Sequence, residues 1–249
     1  MTLARSNLAP SSWSRILLDG ARPEAVAAAV TAGRVMPWAH VLLESSRGAE
    51  TVLDIGSGRG DLSAMLALHG KRTTLLDWSE ENLGFSRELF NALAVRGRFC
   101  QADATKHLPF RTSSHDMVFT CGVLEFFSDP QIELVLEESW RVCTRKLIVL
   151  VPNALSAAYR LGKWYMERTG KWEWNGEVPF RSLRPYFRKL GAVRITEYSI
   201  ASRHALKFLT MPVGKQLVRL LQRALPPATD SRPAFLRQGY LLVTVAEKA

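Results

Sequence analysis

The sequence predicts an α/β fold: a mostly parallel sheet with an antiparallel last strand and helices on both faces. Three observations predict it. Short apolar runs alternate with longer amphipathic stretches through the first 150 residues, the rhythm of strand and crossover helix. A glycine-rich turn, GSGRG at 56–60, joins the first such run to the stretch that follows. A chain of 249 residues that is 47% apolar has material for one core with insertions.

Each element has a local reason. Residues 51–54, TVLD, read as a buried strand, and 61–69 as a helix with Leu62, Met65 and Leu66 on one face. RTTLLD at 72–77 is a second strand ending in Asp77. A helix over 79–94 follows, with Ser79 as N-cap and acids in its first turn. Strands at 98–103 and 116–122, an amphipathic helix at 129–143 and the apolar strand KLIVLVP at 146–152 complete the alternation. The chain then changes character: an aromatic insertion at 154–180, a short helix at 181–190, and two strands at 193–200 and 239–246 that pair antiparallel. Helices within 23–46 form a cap ahead of the first strand.

The 38-residue connection at 201–238 is far longer than a hairpin needs. Leu206, Leu209, Val213, Leu217, Leu220, Leu221 and Ala224 fall on one helical stripe, with Lys215, Arg219 and Arg223 facing away. Pro212 and Gly214 break the run, so two short helices are expected. The stripe suits either packing on the body or a lid or membrane-surface element over 205–225.

Charge is unevenly placed. Of 33 Lys and Arg and 23 Asp and Glu, residues 1–150 hold 16 and 17, leaving 17 and 6 for 151–249. The basic C-terminal part is either a solvated face or an attraction for anionic substrate, nucleic acid or membrane. No apolar stretch of spanning length and no secretory leader pattern occurs, and Cys100, Cys121 and Cys143 lack metal-ligand spacing. These features suggest a cytoplasmic protein with neither a disulfide frame nor a metal site. The five histidines, of which His204 lies in the long connection, follow no metal spacing either.

The turn at 56–60 sits between a strand and a helix N-terminus, where glycine lets main chain approach a ligand. A nucleotide P-loop would need Gly-Lys-[Ser/Thr], which is missing, and a dinucleotide fingerprint would need glycine where Asp61 stands. The pattern present is DxGxGxG, at Asp54, Gly56, Gly58 and Gly60. Further groups gather at the strand ends. Asp77 is placed to accept from vicinal ribose hydroxyls, Trp78 to lie along an adenine face, and Asp103 with the Ala104 N–H to read the adenine edge. A helix-leading acid, a core tryptophan and a turn aspartate are the structural alternatives.

DIGSGRG, LLDWSEENL, QADATKHLPF, HDMVFTCGVLEFFSDP and LIVLVPN follow one another over about residues 50–153. Their order and spacing resemble the small-molecule, ubiquinone-biosynthesis-like branch of the class I S-adenosylmethionine (SAM) methyltransferases. The resemblance implies a Rossmann-like seven-stranded sheet with helical lid insertions, and SAM as cofactor with S-adenosylhomocysteine (SAH) as product. It implies one methyltransferase domain over 1–249: a helical cap at 1–48, a SAM-binding core at 49–153, substrate-side insertions at 154–190 and 201–238, and closing strands at 193–200 and 239–246. The cofactor-binding set it implies is Asp54, Gly56, Ser57, Gly58, Gly60, Asp77, Trp78, Asp103, Ala104 and Cys121.

The implied reaction is in-line displacement at a sulfonium methyl, with a neutral leaving group, onto oxygen or nitrogen of a small acceptor. Relatives with a VLEH-type sequence place a histidine where this chain has Phe126, so Glu125 is the nearest ionisable candidate for a base. Cys121 resembles the nucleophile position of cytosine-C5 methyltransferases but lacks their Pro-Cys pair and suits a small buried residue. The [Asn/Asp]-Pro-Pro-[Tyr/Phe] of nucleobase amino methyltransferases is missing after the fourth strand, which argues against a nucleic-acid substrate. Trp164, Tyr165, Trp172 and Trp174 suit either stacking on the acceptor or a core. Lys163, Arg168, Lys171 and Arg181 suit an anionic one. The remaining alternatives are a peripheral-membrane lipid or quinone methyltransferase, an RNA methyltransferase, and a SAM-binding protein without turnover.

Overall fold

A computed structural model describes residues 10–174, 176–211 and 238–248. Three helices open the chain, α1 (Pro10–Leu18), α2 (Pro23–Thr31) and α3 (Ala39–Ser45). The alternating core follows as β1 (Thr51–Ile55), α4 (Asp61–Leu68), β2 (Arg72–Asp77), α5 (Glu80–Ala92), β3 (Gly97–Gln101), β4 (His115–Cys121), α6 (Asp129–Val142) and β5 (Cys143–Pro152). Beyond it come α7 (Ala157–Arg168), α8 (Arg184–Lys189), β6 (Arg194–Ile200), α9 (Ser202–Ala205) and β7 (Leu241–Glu247).

Among the described residues seven strands form one sheet in the order β3-β2-β1-β4-β5-β7-β6. The β1·β2, β1·β4, β2·β3 and β4·β5 pairs are parallel, whereas β7 runs antiparallel to both β5 and β6. The expected Rossmann-like sheet with one antiparallel last strand is the fold observed. The strand order reverses beside β1, so the ends of β1, β2 and β4 diverge there to leave a crevice.

β5 shows why LIVLVP, residues 147–152, carries no polar residue. Its side chains alternate, Leu147, Val149 and Val151 joining the core under α6 and α8, and Ile148 and Leu150 the core under α3 and α4. All five are fully buried. β5 is longer than expected and starts at Cys143, because α6 runs straight into it: Cys143, the C-cap of α6, already has extended angles.

Several local expectations need correction. β3 ends at Gln101, so Asp103 does not close a strand. It stands two residues beyond, in a turn where its Oδ1 accepts from the Thr105 N–H at 2.8 Å and the Thr105 hydroxyl at 2.7 Å. The aromatic insertion contains a 12-residue helix, α7, and the N-terminal cap gains α1. Of the long connection, α9 and a 3₁₀ turn at Leu206–Phe208 are described, and the stripe from Val213 to Ala224 lies outside the described residues. Among the described residues no helix is long and apolar enough to cross a membrane.

Candidate active site

The turn between β1 and α4 uses its three glycines differently. All have positive φ, +71° at Gly56, +53° at Gly58 and +78° at Gly60. A Cβ on Gly56 would lie 2.5 Å from Val123 Cγ2, and one on Gly60 2.8 Å from Ser86 Oγ, so these two glycines let the turn pack against its neighbours. A Cβ on Gly58 would meet Leu17 of α1 at 3.3 Å, which puts Gly58 against the helix that roofs the site. The turn's N–H groups are consumed inside the protein: those of Gly56 and Ser57 go to the Leu76 carbonyl, that of Gly60 to the Ser57 carbonyl and that of Gly58 to Asp77. Such a turn offers no ring of free N–H groups to a pyrophosphate.

Below this turn and at the ends of β2 and β4 lies a cavity of about 1210 Å³. Trp13, Ile16 and Leu17 of α1 line its roof. Asp77 lines it while holding its floor together: Oδ2 accepts from the Gly58 N–H at 2.8 Å, and Oδ1 from the Ser79 N–H at 2.9 Å and Asn82 Nδ2 at 3.3 Å. Burial raises the Asp77 pKa, opposed by these same hydrogen bonds. Gly56, Ser57, Gly58, Trp78, Asp103, Ala104 and Cys121 also line the cavity, and the structure brings this part of the expected set together.

Two expected residues sit behind the wall instead. Gly60 is buried as the N-cap of α4. Asp54, 3% exposed, accepts from Ser63 Oγ of α4 at 2.7 Å. Burial pushes its carboxyl up to about 7, with the negative charges of Asp77 and Asp61 adding to the effect. Asp54 therefore pins β1 to α4 under the turn, as a residue that orders the turn would.

The far half of the cavity holds Glu125 and Trp174, both named from the sequence, beside Glu177, Trp13, Trp38 and Tyr240, which no motif marked. Glu125 stands in a 3₁₀ turn, Leu124–Phe126, after β4, is 2% exposed, and its Oε2 has no hydrogen-bond partner. Burial, then the neighbouring Glu177, raise its pKa well above the usual carboxylate range. Glu177 lines the same cavity, accepts from the Tyr159 hydroxyl, and is pushed up to about 7, chiefly by burial. Around the two acids stand Trp13, Trp38, Phe126, Trp174 and Tyr240. Trp13 stacks on Trp174 at 5.6 Å between centroids and meets Phe126 edge-on at 4.3 Å.

Of the four insertion aromatics, Trp174 alone lines the cavity; Trp172 packs against Tyr159 and Phe208 in the core, and Trp164 is half exposed. The expectation of an anionic acceptor loses its support. Lys163 is bound to Glu167 and lies 4.6 Å over the Trp172 ring, Arg168 lies over Trp164, Lys171 and Arg181 are exposed, and none of them lines the cavity. A charge is cheaper to keep in water or on a nearby carboxylate than in an apolar cavity. His204 packs edge-on against Trp38 and Phe208 outside the cavity, and burial lowers it to about 4, so it stands neutral. The Cys121 thiol is pushed up by burial, then by Glu125 and Asp54, which removes nucleophilic character.

The near half fits SAM. Ser57 Oγ and Asn82 Oδ1 are buried without partners, both residues line the cavity, and a side chain at Gly58 would narrow it. These are polar groups waiting for a polar ligand beside an acid suited to ribose hydroxyls.

Comparison with known proteins agrees. A family model described as a methyltransferase domain matches residues 52–146. An uncharacterized methyltransferase of Mycobacterium sp. (strain KMS) is 29% identical over 193 residues, 76% of this chain and 70% of that protein. Among solved structures, magnesium protoporphyrin IX methyltransferase from Synechocystis PCC 6803 with bound SAH is 17% identical with a TM-score of 0.57, covering 96% of this chain and 94% of that one. A possible histamine N-methyltransferase from Thermotoga maritima is 20% identical with a TM-score of 0.56, covering 81% and 82%. At these identities the two structures speak for the fold.

Proposed function

We propose that this chain, whose residues 52–146 match a methyltransferase domain, is a class I SAM-dependent methyltransferase that methylates an oxygen or nitrogen of a small-molecule acceptor held in the far half of its cavity. The observation that carries this reading is the continuity of one cavity, from the glycine turn and Asp77 to Glu125, Glu177 and the aromatic wall. Bound SAM supplies an electrophilic methyl group on a sulfonium whose departure leaves a neutral thioether.

The chain's own groups do the rest. Asp77 holds the ribose hydroxyls, Trp78 and Ala104 lie along the nucleoside, and Ser57 and Asn82 offer the polar atoms they lack partners for. Asp103 remains at the rim, its Oδ1 already engaged by Thr105. α1 and the aromatic residues exclude water, so an acceptor pressed against them is oriented rather than solvated. Arg59, the one cation among the described lining residues, is paired with Asp61 at 2.7 Å. Among the described lining residues that leaves no free positive charge for a phosphodiester, which supports a small acceptor over RNA.

The test is calorimetric titration of the purified protein with SAH, beside Asp77→Asn. Hydrogen bonds to a charged group contribute about 1.5–3 kcal/mol, so the variant should bind about ten- to hundredfold more weakly. Equal affinity in the two proteins would remove the ribose from Asp77.

A further inference from the structure

We propose that Glu125 and Glu177 form an amine-recognition subsite, so that the acceptor is an ammonium-bearing molecule with an apolar or aromatic body. The inference rests on the methyltransferase reading and adds the acceptor's charge to it.

Two carboxyl groups line the far end of one cavity, and their environments differ. Glu177 is held in place by the hydroxyl of Tyr159, a side chain with no solvent exposure. Glu125 is as deeply buried, yet its Oε2 meets no donor. The two residues are tied by main chain, the Val178 N–H reaching the Glu125 carbonyl at 2.9 Å, so their separation is set by the fold. A buried acceptor atom without a donor costs free energy that a ligand donor recovers.

The charge of that donor follows from its surroundings. Among the described residues, Lys163 is taken up by Glu167 and Trp172 and lies outside the lining, and Arg59 is taken up by Asp61. Burial, then the neighbouring Glu177, therefore raise the Glu125 pKa, while Lys163 acts on Glu177. A hydroxyl would satisfy one oxygen and leave the repulsion; an anion would add to it. An ammonium donates to Glu125 and offsets both groups at once. Tyr240, Trp38 and Trp174 line the same cavity, and aromatic rings favour a cation too.

The experiment uses the full chain saturated with SAH and three probes of one shape, phenethylamine, 2-phenylethanol and phenylacetate. Binding is followed by calorimetry. Hydrogen bonds to charged groups make the amine bind at least about tenfold tighter than the alcohol, with phenylacetate weakest. Glu125→Gln abolishes that preference while leaving SAH affinity unchanged. Glu177→Gln, which still accepts from Tyr159, weakens the amine less.

Phenylacetate binding as tightly as the amine would overturn the proposal. So would an amine preference that survives Glu125→Gln, or failure of all three probes to saturate at millimolar concentration. SAH that does not bind the folded wild type is a separate failure, one that removes the methyltransferase site itself and the subsite with it.

Discussion

Replacing Asp54 by Asn should alter how stability depends on pH far more than it alters the fold. The Asp54 carboxyl is 3% exposed, and burial, with Asp77 and Asp61 adding to it, lifts its pKa from 3.8 to about 7. The native protein thus keeps a proton that the unfolded chain has lost between those two values. Stability falls as pH rises through that window and levels off above about 7. At 1.36 kcal/mol for each pKa unit, the Asp54 contribution to unfolding free energy drops by about 2.5 kcal/mol between pH 5 and pH 7.5. Asn keeps the shape and still accepts from Ser63 Oγ, but it has no proton to lose. Urea unfolding of both proteins across that range should therefore give curves that diverge by about this amount, the variant gaining relative to wild type as pH rises. Glu125 and Glu177, raised in the same direction, contribute the same sign to both proteins and cancel in the difference. Parallel curves, within about 0.5 kcal/mol, would mean that Asp54 is ionised in the native state and that its burial has been misread.

Two more predictions concern packing and reactivity. A Cβ on Gly162 of α7 would lie 2.2 Å from the Phe208 carbonyl oxygen, a backbone atom with little freedom to give way; Gly162→Ala should cost about 1–3 kcal/mol in urea unfolding, and an unchanged midpoint would contradict the contact between α7 and the 206–208 turn. Cys121, its thiol pushed up by burial, should resist iodoacetamide at pH 8 in the folded protein and react once unfolded, as read by mass spectrometry; rapid native alkylation would return it to the list of nucleophiles.

The core and the cofactor half of the site were written locally. The strands declare themselves because period-two burial on β5 needs apolar residues on both faces, and DxGxGxG declares the turn because positive φ at 56, 58 and 60 needs glycine. Asp103 shows the limit: strand propensity carries the eye past Gln101, whereas the aspartate closes a turn on Thr105. Boundaries of this kind depend on which hydrogen bonds win, and several partners compete at a strand end.

The acceptor half was not written that way. Glu177 and Trp174 come from the insertion after β5, Trp13 from α1, Trp38 from just before α3 and Tyr240 from just before β7, and no spacing in the chain relates them to Glu125. The basic residues at 163–181 pointed to an anion because a sequence counts charges without showing which find water or a nearer carboxylate. By itself the sequence determined the sheet, the turn and the Asp77 strand end, since periodicity and glycine conformation act over a few residues. Only the tertiary structure decided that two acids from distant segments share one cavity with no free cation among the described lining residues, because their pKa values and their unsatisfied oxygen exist only once burial has removed the water.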